Sequence, residues 1–94
     1  MDYQLLCAEL QALIDGIPYE TANLANASAL LWDSLPNINW AGFYKMEDGA
    51  LILGPFQGKP ACIRIEVGKG VCGTAVIQNT TQRVADVHAF PGHI

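Results

Sequence analysis

The sequence is short of charge, and of positive charge above all. Only 5 Lys and Arg stand against 9 Asp and Glu in 94 residues, which gives a formal net charge of −4 and a charged fraction of 15%. The basic residues occur singly along the chain, so nucleic acids and anionic membrane surfaces are poor candidate partners. Hydrophobic residues reach 51%, the opposite of the balance that keeps a chain disordered.

Long apolar runs and a basic leader are also missing. No stretch approaches the ~18 consecutive apolar residues of a membrane-spanning helix. The first ten residues, MDYQLLCAEL, carry an acid at position 2 and no basic region, so they do not resemble a signal peptide. We therefore expect a cytoplasmic protein with no membrane partner. Its length allows one small domain, since a single core usually organises about 100–150 residues.

The chain also lacks the even set of cysteines that a structural disulfide framework requires. Its three cysteines are Cys7, Cys62 and Cys72, and an odd number without a secretory signal indicates reactive or buried thiols. Cys7 falls among apolar residues of a predicted helix, which favours packing at that position.

The hydrophobic pattern changes from helical spacing to alternation near residue 39. The second of two helices is rich in small residues, which would let another backbone approach closely. Two helices followed by a hairpin and mixed elements predict an α+β fold with an antiparallel sheet. The expected elements are helices at about 3–15 and 19–35, a hairpin at about 39–56 turning at Asp48-Gly49, a strand at about 63–67, a short helix at about 74–79 and a short strand at 83–87.

Cys72 is the residue with the strongest indication of chemistry. It lies among glycines just before the predicted third helix, where unpaired backbone N–H groups favour negative charge. Lys69 would act in the same direction, so we expect the pKa of the Cys72 thiol to be lowered. The alternative is a small residue buried at a tight turn.

The glycines around Cys72 match a dinucleotide-binding string, Gly68-x-Gly70-x-x-Gly73. Two helices and a hairpin precede them instead of a βαβ unit, and the next acid, Asp86, comes too early to bind a ribose. We therefore interpret these glycines as residues that allow a tight loop, and we expect no dinucleotide site here.

Cys62 lies at the entrance to a predicted strand, ten positions before Cys72. A reversible disulfide between the two requires their Cα atoms to come within ~7 Å. A purely structural role is equally compatible with this spacing.

The histidines and the acid near the end of the sequence carry weaker signals. His88 and His93 could join Cys62 and Cys72 at a metal, but the cysteines are spaced far more widely than in zinc sites, so we expect no metal. The histidines fit better as loop residues beside a pocket. Asp86 is isolated, and an isolated Asp before a loop is more typical of a turn or cap than of a catalyst.

Three aromatic residues, Trp40, Phe43 and Tyr44, lie on the first predicted strand. Alternation places Trp40 and Tyr44 on one face of that strand and Phe43 on the other. They are ordinary residues of a sheet, where aromatic side chains are common. They could also form an aromatic wall beside a thiol and hold a small methyl or thioether group, since contacts between sulfur and aromatic rings are favourable.

Taken together, three segments resemble the free methionine-(R)-sulfoxide reductases, enzymes built on a GAF domain. The segments are ETANLANASALLW, NWAGFYKMEDGALILGPFQGKPACIRIEVGKGVCGTA and TQRVADVHAFPGHI. The resemblance implies a GAF-like fold and the thiol-dependent reduction of free methionine-(R)-sulfoxide to methionine. It also implies no bound cofactor, with thioredoxin as the external reductant.

The resemblance assigns roles to five residues. Cys62 and Cys72 match two of the three redox cysteines of the family. Trp40 matches the aromatic residue that faces the substrate methyl group, and Tyr44 matches a pocket residue. Asp86 lies in a matching motif and is a weaker candidate for substrate binding.

One departure from the family pattern concerns the end of the sequence. In the family, HAFPGHI is followed by Ala-Cys-Asp, which holds the third cysteine, and by strands with acidic substrate-binding residues. We therefore expect the amino-terminal portion of such an enzyme, without the carboxy-terminal strands and with little or no activity alone. The alternatives are a non-catalytic GAF module that senses a small ligand, and a homodimer formed through the helix rich in small residues.

Overall fold

The computed structural model describes residues 1–92 and confirms an α+β fold with an antiparallel sheet. No helix in this part of the chain is long and apolar enough to cross a membrane. The elements are α1 (Tyr3–Ile14), α2 (Glu20–Ser34), β1 (Trp40–Glu47), β2 (Ala50–Gly58), β3 (Arg64–Glu66), α3 (Gly70–Gln78) and a 3₁₀ turn at Val87–Ala89.

The chain divides into two compact units that both draw on the β1–β2 hairpin. The first contains Met1–Tyr44 and Gly54–Ala61, and the second contains Lys45–Leu53 with the described residues from Cys62 onward.

The first unit is built on two packed helices, α1 and α2. At the start of α1 the Asp2 carboxylate accepts the N–H of Leu5 at 2.9 Å, which satisfies one of the unpaired donors of that helix end. The small residues of α2 let another backbone segment approach the helix closely, as the sequence predicts. Ala27 is buried, and the buried Ser28 has its Oγ 2.8 Å from the carbonyl oxygen of Leu24 and 3.2 Å from that of Pro55.

The second unit is built on the sheet, whose strands follow the order β1-β2-β3. Asp48 and Gly49 have φ values of +51° and +81°, and positive values at both central residues match the right-handed twist of a tight hairpin. β2 pairs antiparallel with β3, with Ala50 opposite Glu66 and Leu51 opposite Ile65. Ala50, Leu51 and Ile65 are buried and form the core of this unit.

Two sequence predictions about the second unit are wrong. The third helix begins at Gly70, four residues before the predicted start. The strand predicted at 83–87 does not form, and Asp86 instead begins the 3₁₀ turn by accepting the N–H of His88 at 3.0 Å. A short Asp side chain that bonds to the local backbone competes with strand pairing, and this accounts for the turn.

Candidate functional site

The third helix meets β3 through a close backbone contact at Gly73. An added Cβ at this position would lie 2.4 Å from the carbonyl oxygen of Glu66 and 3.1 Å from the nitrogen of Gly68. The Gly68 N–H donates to the Gly73 carbonyl at 2.8 Å, and the Lys69 N–H donates to the Glu66 carbonyl at 3.1 Å. These contacts fix the first turn of α3, which carries Cys72, against the end of β3.

Cys62 and Cys72 both belong to the second unit. Cys62 precedes β3, Cys72 lies in the first turn of α3, and both residues are exposed. The charge of Cys62 is the second cause, after burial, of the raised pKa of Cys72, so the two thiols lie within electrostatic range of each other. Neither cysteine forms a disulfide, and the approach of their Cα atoms to within ~7 Å stays a prediction.

The predicted direction of the Cys72 pKa shift is wrong. Burial of the thiol raises its pKa, and the neighbouring Cys62 raises it further. The residue as a whole is exposed, but its sulfur lies close enough to protein for the loss of hydration to disfavour the thiolate. Lys69 does not reverse the shift, since its ammonium lies 4.0 Å from the Glu66 carboxylate.

The raised pKa predicts slow alkylation of Cys72 at neutral pH. In a Cys7→Ser background, we expect the pH profile of its reaction with iodoacetamide, followed by peptide mass spectrometry, to rise at higher pH than that of an unstructured cysteine peptide, because only the thiolate reacts. A further Cys62→Ser substitution removes the neighbouring charge but not the burial. The profile should then shift to lower pH, part of the way toward that of the peptide. A Cys72 profile that rises at lower pH than that of the peptide would contradict this account.

The carboxylate of Glu66, at the end of β3, forms long ion pairs with two basic side chains. Its carboxylate lies 3.9 Å from the Arg64 guanidinium and 4.0 Å from the Lys69 ammonium. All three side chains are more than half exposed, so each pair contributes at most about 1 kcal/mol. The arrangement leaves all three charges largely in solvent.

An aromatic cluster in the first unit contains Trp40, Tyr44 and Phe56. The ring centroids of Trp40 and Tyr44 are 6.1 Å apart at an interplanar angle of 26°, and those of Trp40 and Phe56 are 5.4 Å apart at 15°. This confirms that Trp40 and Tyr44 share one face of β1. Sequence reasoning missed Phe56, although Gly42 within β1 was a signal that another chain segment approaches closely there.

The remaining predicted residues are exposed, and one of them is a cap. Asp86 is exposed and caps the 3₁₀ turn, the structural role that the residue pattern favoured. Cys7 is exposed, so the prediction that it packs in a core is wrong, because it lies off the α1 face that buries Leu6. Among residues 1–92 no three His, Cys, Asp or Glu side chains are grouped to hold a metal. His93 lies outside the described residues.

The chain is similar to known proteins over nearly its whole length. It is 59% identical over 92 residues to the free methionine-R-sulfoxide reductase of Escherichia coli, a match that covers 98% of this chain and 56% of that protein. The chain thus spans somewhat more than half the length of the curated relatives it matches. No family model matches the sequence.

Solved structures give the same result. The free methionine-R-sulfoxide reductase of Staphylococcus aureus, in complex with its substrate, superposes with a TM-score of 0.95 at 56% identity, covering 99% of this chain and 61% of that one. A GAF domain superposes with a TM-score of 0.90 at 50% identity, covering 97% of this chain and 55% of the other. The fold is therefore that of a partial GAF domain.

Proposed function

We propose that this chain, a homologue of the free methionine-R-sulfoxide reductases, supplies the redox thiols and part of the substrate pocket of an enzyme that reduces free methionine-(R)-sulfoxide to methionine. The observation that carries the proposal is the pair of exposed thiols, Cys62 and Cys72, which lie within electrostatic range of each other. They occur in a chain that is 59% identical to a reductase of that name. The first turn of α3, which bears Cys72, is held against the end of β3 by the close contact at Gly73, and β3 begins two residues after Cys62.

The reaction uses thiol chemistry alone. A thiolate attacks the sulfoxide sulfur while the sulfoxide oxygen is protonated, methionine leaves, and the attacking cysteine becomes a sulfenic acid. A second thiol condenses with the sulfenic acid, which forms a disulfide and releases water. Thiol exchange with thioredoxin then restores both thiols and leaves thioredoxin oxidised. No bound cofactor takes part.

The raised pKa of Cys72 suits the second step better than the first. A thiol that stays protonated at neutral pH is a poor nucleophile toward the sulfoxide. It can still condense with a sulfenic acid on a neighbouring cysteine, and Cys62 is close enough for its charge to be felt. We therefore assign Cys72 to disulfide formation.

The aromatic cluster is the part of this chain that we propose contacts the substrate. Trp40 and Tyr44 present stacked rings on one face of β1, and aromatic faces make favourable contacts with the methyl and sulfur groups of a methionine derivative. Asp86 is proposed to face the polar end of the substrate, in addition to its capping bond to His88.

The proposed setting is the cytoplasm, where free thiols persist and thioredoxin reduces disulfides. We also propose that this chain by itself has little activity, because it spans only somewhat more than half the length of its relatives. The homodimer remains a prediction. The small residues of α2 suggested it as a contact surface between two chains, but Ala27 and Ser28 are already buried within the first unit.

A coupled assay tests the proposed reaction. The chain is incubated with thioredoxin, thioredoxin reductase and NADPH, and with free methionine-(R)-sulfoxide or, separately, the (S) form. We expect slow NADPH oxidation with the (R) form alone. Fusing the chain to the rest of the Escherichia coli relative should increase that rate. Equal rates with both forms, or an inactive fusion, would contradict the proposal.

A sensor that binds a small ligand without turnover is the second candidate function. It is favoured by the likeness to a GAF domain as such and by the aromatic cluster, which could hold a ligand without any thiol. A sensor does not need Cys62 and Cys72, so two exposed thiols within electrostatic range of each other favour the reductase. If the fusion binds methionine sulfoxide but never reduces it, the sensor becomes the better account.

A further inference from the structure

The orientation of Trp40 depends on stacking, because hydrogen bonding does not fix it. Its indole nitrogen Nε1 is buried, and no acceptor among the described residues reaches it. A buried tryptophan usually anchors its ring through this N–H. Here the ring is held by the two aromatic neighbours on which it stacks, Tyr44 and Phe56.

Phe56 makes the closer and more parallel of the two contacts. Its ring centroid lies 5.4 Å from that of Trp40 at 15°, against 6.1 Å and 26° for Tyr44. Phe56 also lies on a different strand, β2, so it ties the Trp40 ring to the backbone of the neighbouring strand. Tyr44 lies on β1 itself and cannot provide that connection.

Two glycines make room for this arrangement. A Cβ on Gly42 would overlap the Cβ of Phe56 and lie 2.8 Å from its Cα, so only glycine lets Phe56 approach β1 so closely. A Cβ on Gly58 would lie 2.9 Å from Cδ1 of Trp40 and 2.8 Å from the carbonyl oxygen of Asn39. The backbone is thus shaped on both strands to seat the Trp40 and Phe56 rings.

We infer that Phe56 is a positioning residue, which acts through Trp40 to set the aromatic face that the proposed site presents to the methyl and sulfur groups of the substrate. This inference rests on the proposed function, because it takes Trp40 as the residue that contacts the substrate. Phe56 itself need not touch the substrate. Its contribution is the fixed orientation of the indole.

The test compares three variants in a Trp32→Phe background, which leaves Trp40 as the only tryptophan. Phe56→Leu keeps the side chain apolar but removes the ring, Phe56→Tyr keeps the ring, and Phe43→Leu removes a half-buried ring predicted on the opposite face of β1. The readouts are the near-ultraviolet circular dichroism of Trp40 and the Kd for free methionine-(R)-sulfoxide from fluorescence quenching.

We expect Phe56→Leu to weaken the Trp40 dichroism and raise the Kd about three- to tenfold, the range that a stacked aromatic pair contributes. Phe56→Tyr should restore both readouts, and Phe43→Leu should leave both near the parent values. Unchanged dichroism in Phe56→Leu, or an equal loss in Phe43→Leu, would overturn the inference. If the parent does not bind the sulfoxide, the substrate contact of Trp40 in this chain fails, while the proposed function is decided by the fusion assay and the dichroism alone decides whether Phe56 orders Trp40.

Discussion

Replacing Cys72 with serine should abolish sulfoxide reduction in the fusion with the Escherichia coli relative. Serine keeps the size of the side chain but cannot form a disulfide, so the sulfenic acid produced in the first step has no neighbouring Cys72 thiol to condense with. We expect turnover in the thioredoxin-coupled assay to fall on the order of 10³-fold or more, as when a residue of a covalent mechanism is removed.

Cys7→Ser provides the matched control for this substitution. Cys7 is exposed and lies in the first unit, whereas Cys62 and Cys72 lie in the second, so its loss should leave turnover within about twofold, as expected for surface changes. If Cys72→Ser retains most of the parent activity, or Cys7→Ser loses as much, the assignment of the redox thiols is wrong.

Gly73→Ala should unfold the second unit or come close to it. Alanine in a helix normally stabilises by about 1 kcal/mol relative to glycine. Here the added Cβ would lie 2.4 Å from the Glu66 carbonyl oxygen, a backbone atom of β3 that cannot move without breaking the strand. We expect the free energy of unfolding, measured by urea titration, to fall by about 3 kcal/mol or more.

Gly16→Ala separates this steric effect from the general cost of substituting glycine. Gly16 has a φ of +69° and nothing within 4 Å of an added Cβ, so the only penalty is about 1–2 kcal/mol for a left-handed backbone. Gly73→Ala should be clearly more damaging. A Gly73→Ala chain as stable as the parent would show that α3 does not rest on the end of β3 as described.

The elements set by local patterns could be predicted from the sequence. The first two helices and the hairpin lie within about two residues of their predicted bounds, because apolar spacing and the Asp48-Gly49 turn are local signals. The start of α3 was missed because the glycines at 68, 70 and 73 look like a loop. What they permit is a tertiary contact with the Glu66 carbonyl, which no local pattern encodes.

The candidate site was only partly predictable for the same reason. The sequence indicated that Cys62 and Cys72 could meet, but the direction of the Cys72 pKa depends on how far the sulfur is buried and how near Cys62 lies. Both are properties of the folded chain. Phe56 was missed because its contact with Trp40 crosses from one strand to the next.

The most direct test of the redox pair uses a single turnover and no recycling system. The fully reduced Cys7→Ser chain is mixed with excess free methionine-(R)-sulfoxide or the (S) form, remaining thiols are alkylated, and disulfides are mapped by mass spectrometry while free methionine is quantified. The account predicts that the (R) form alone produces a Cys62–Cys72 disulfide, together with an equal amount of methionine. Thiols that remain free with the (R) form, or disulfide formed equally with both forms, would contradict it.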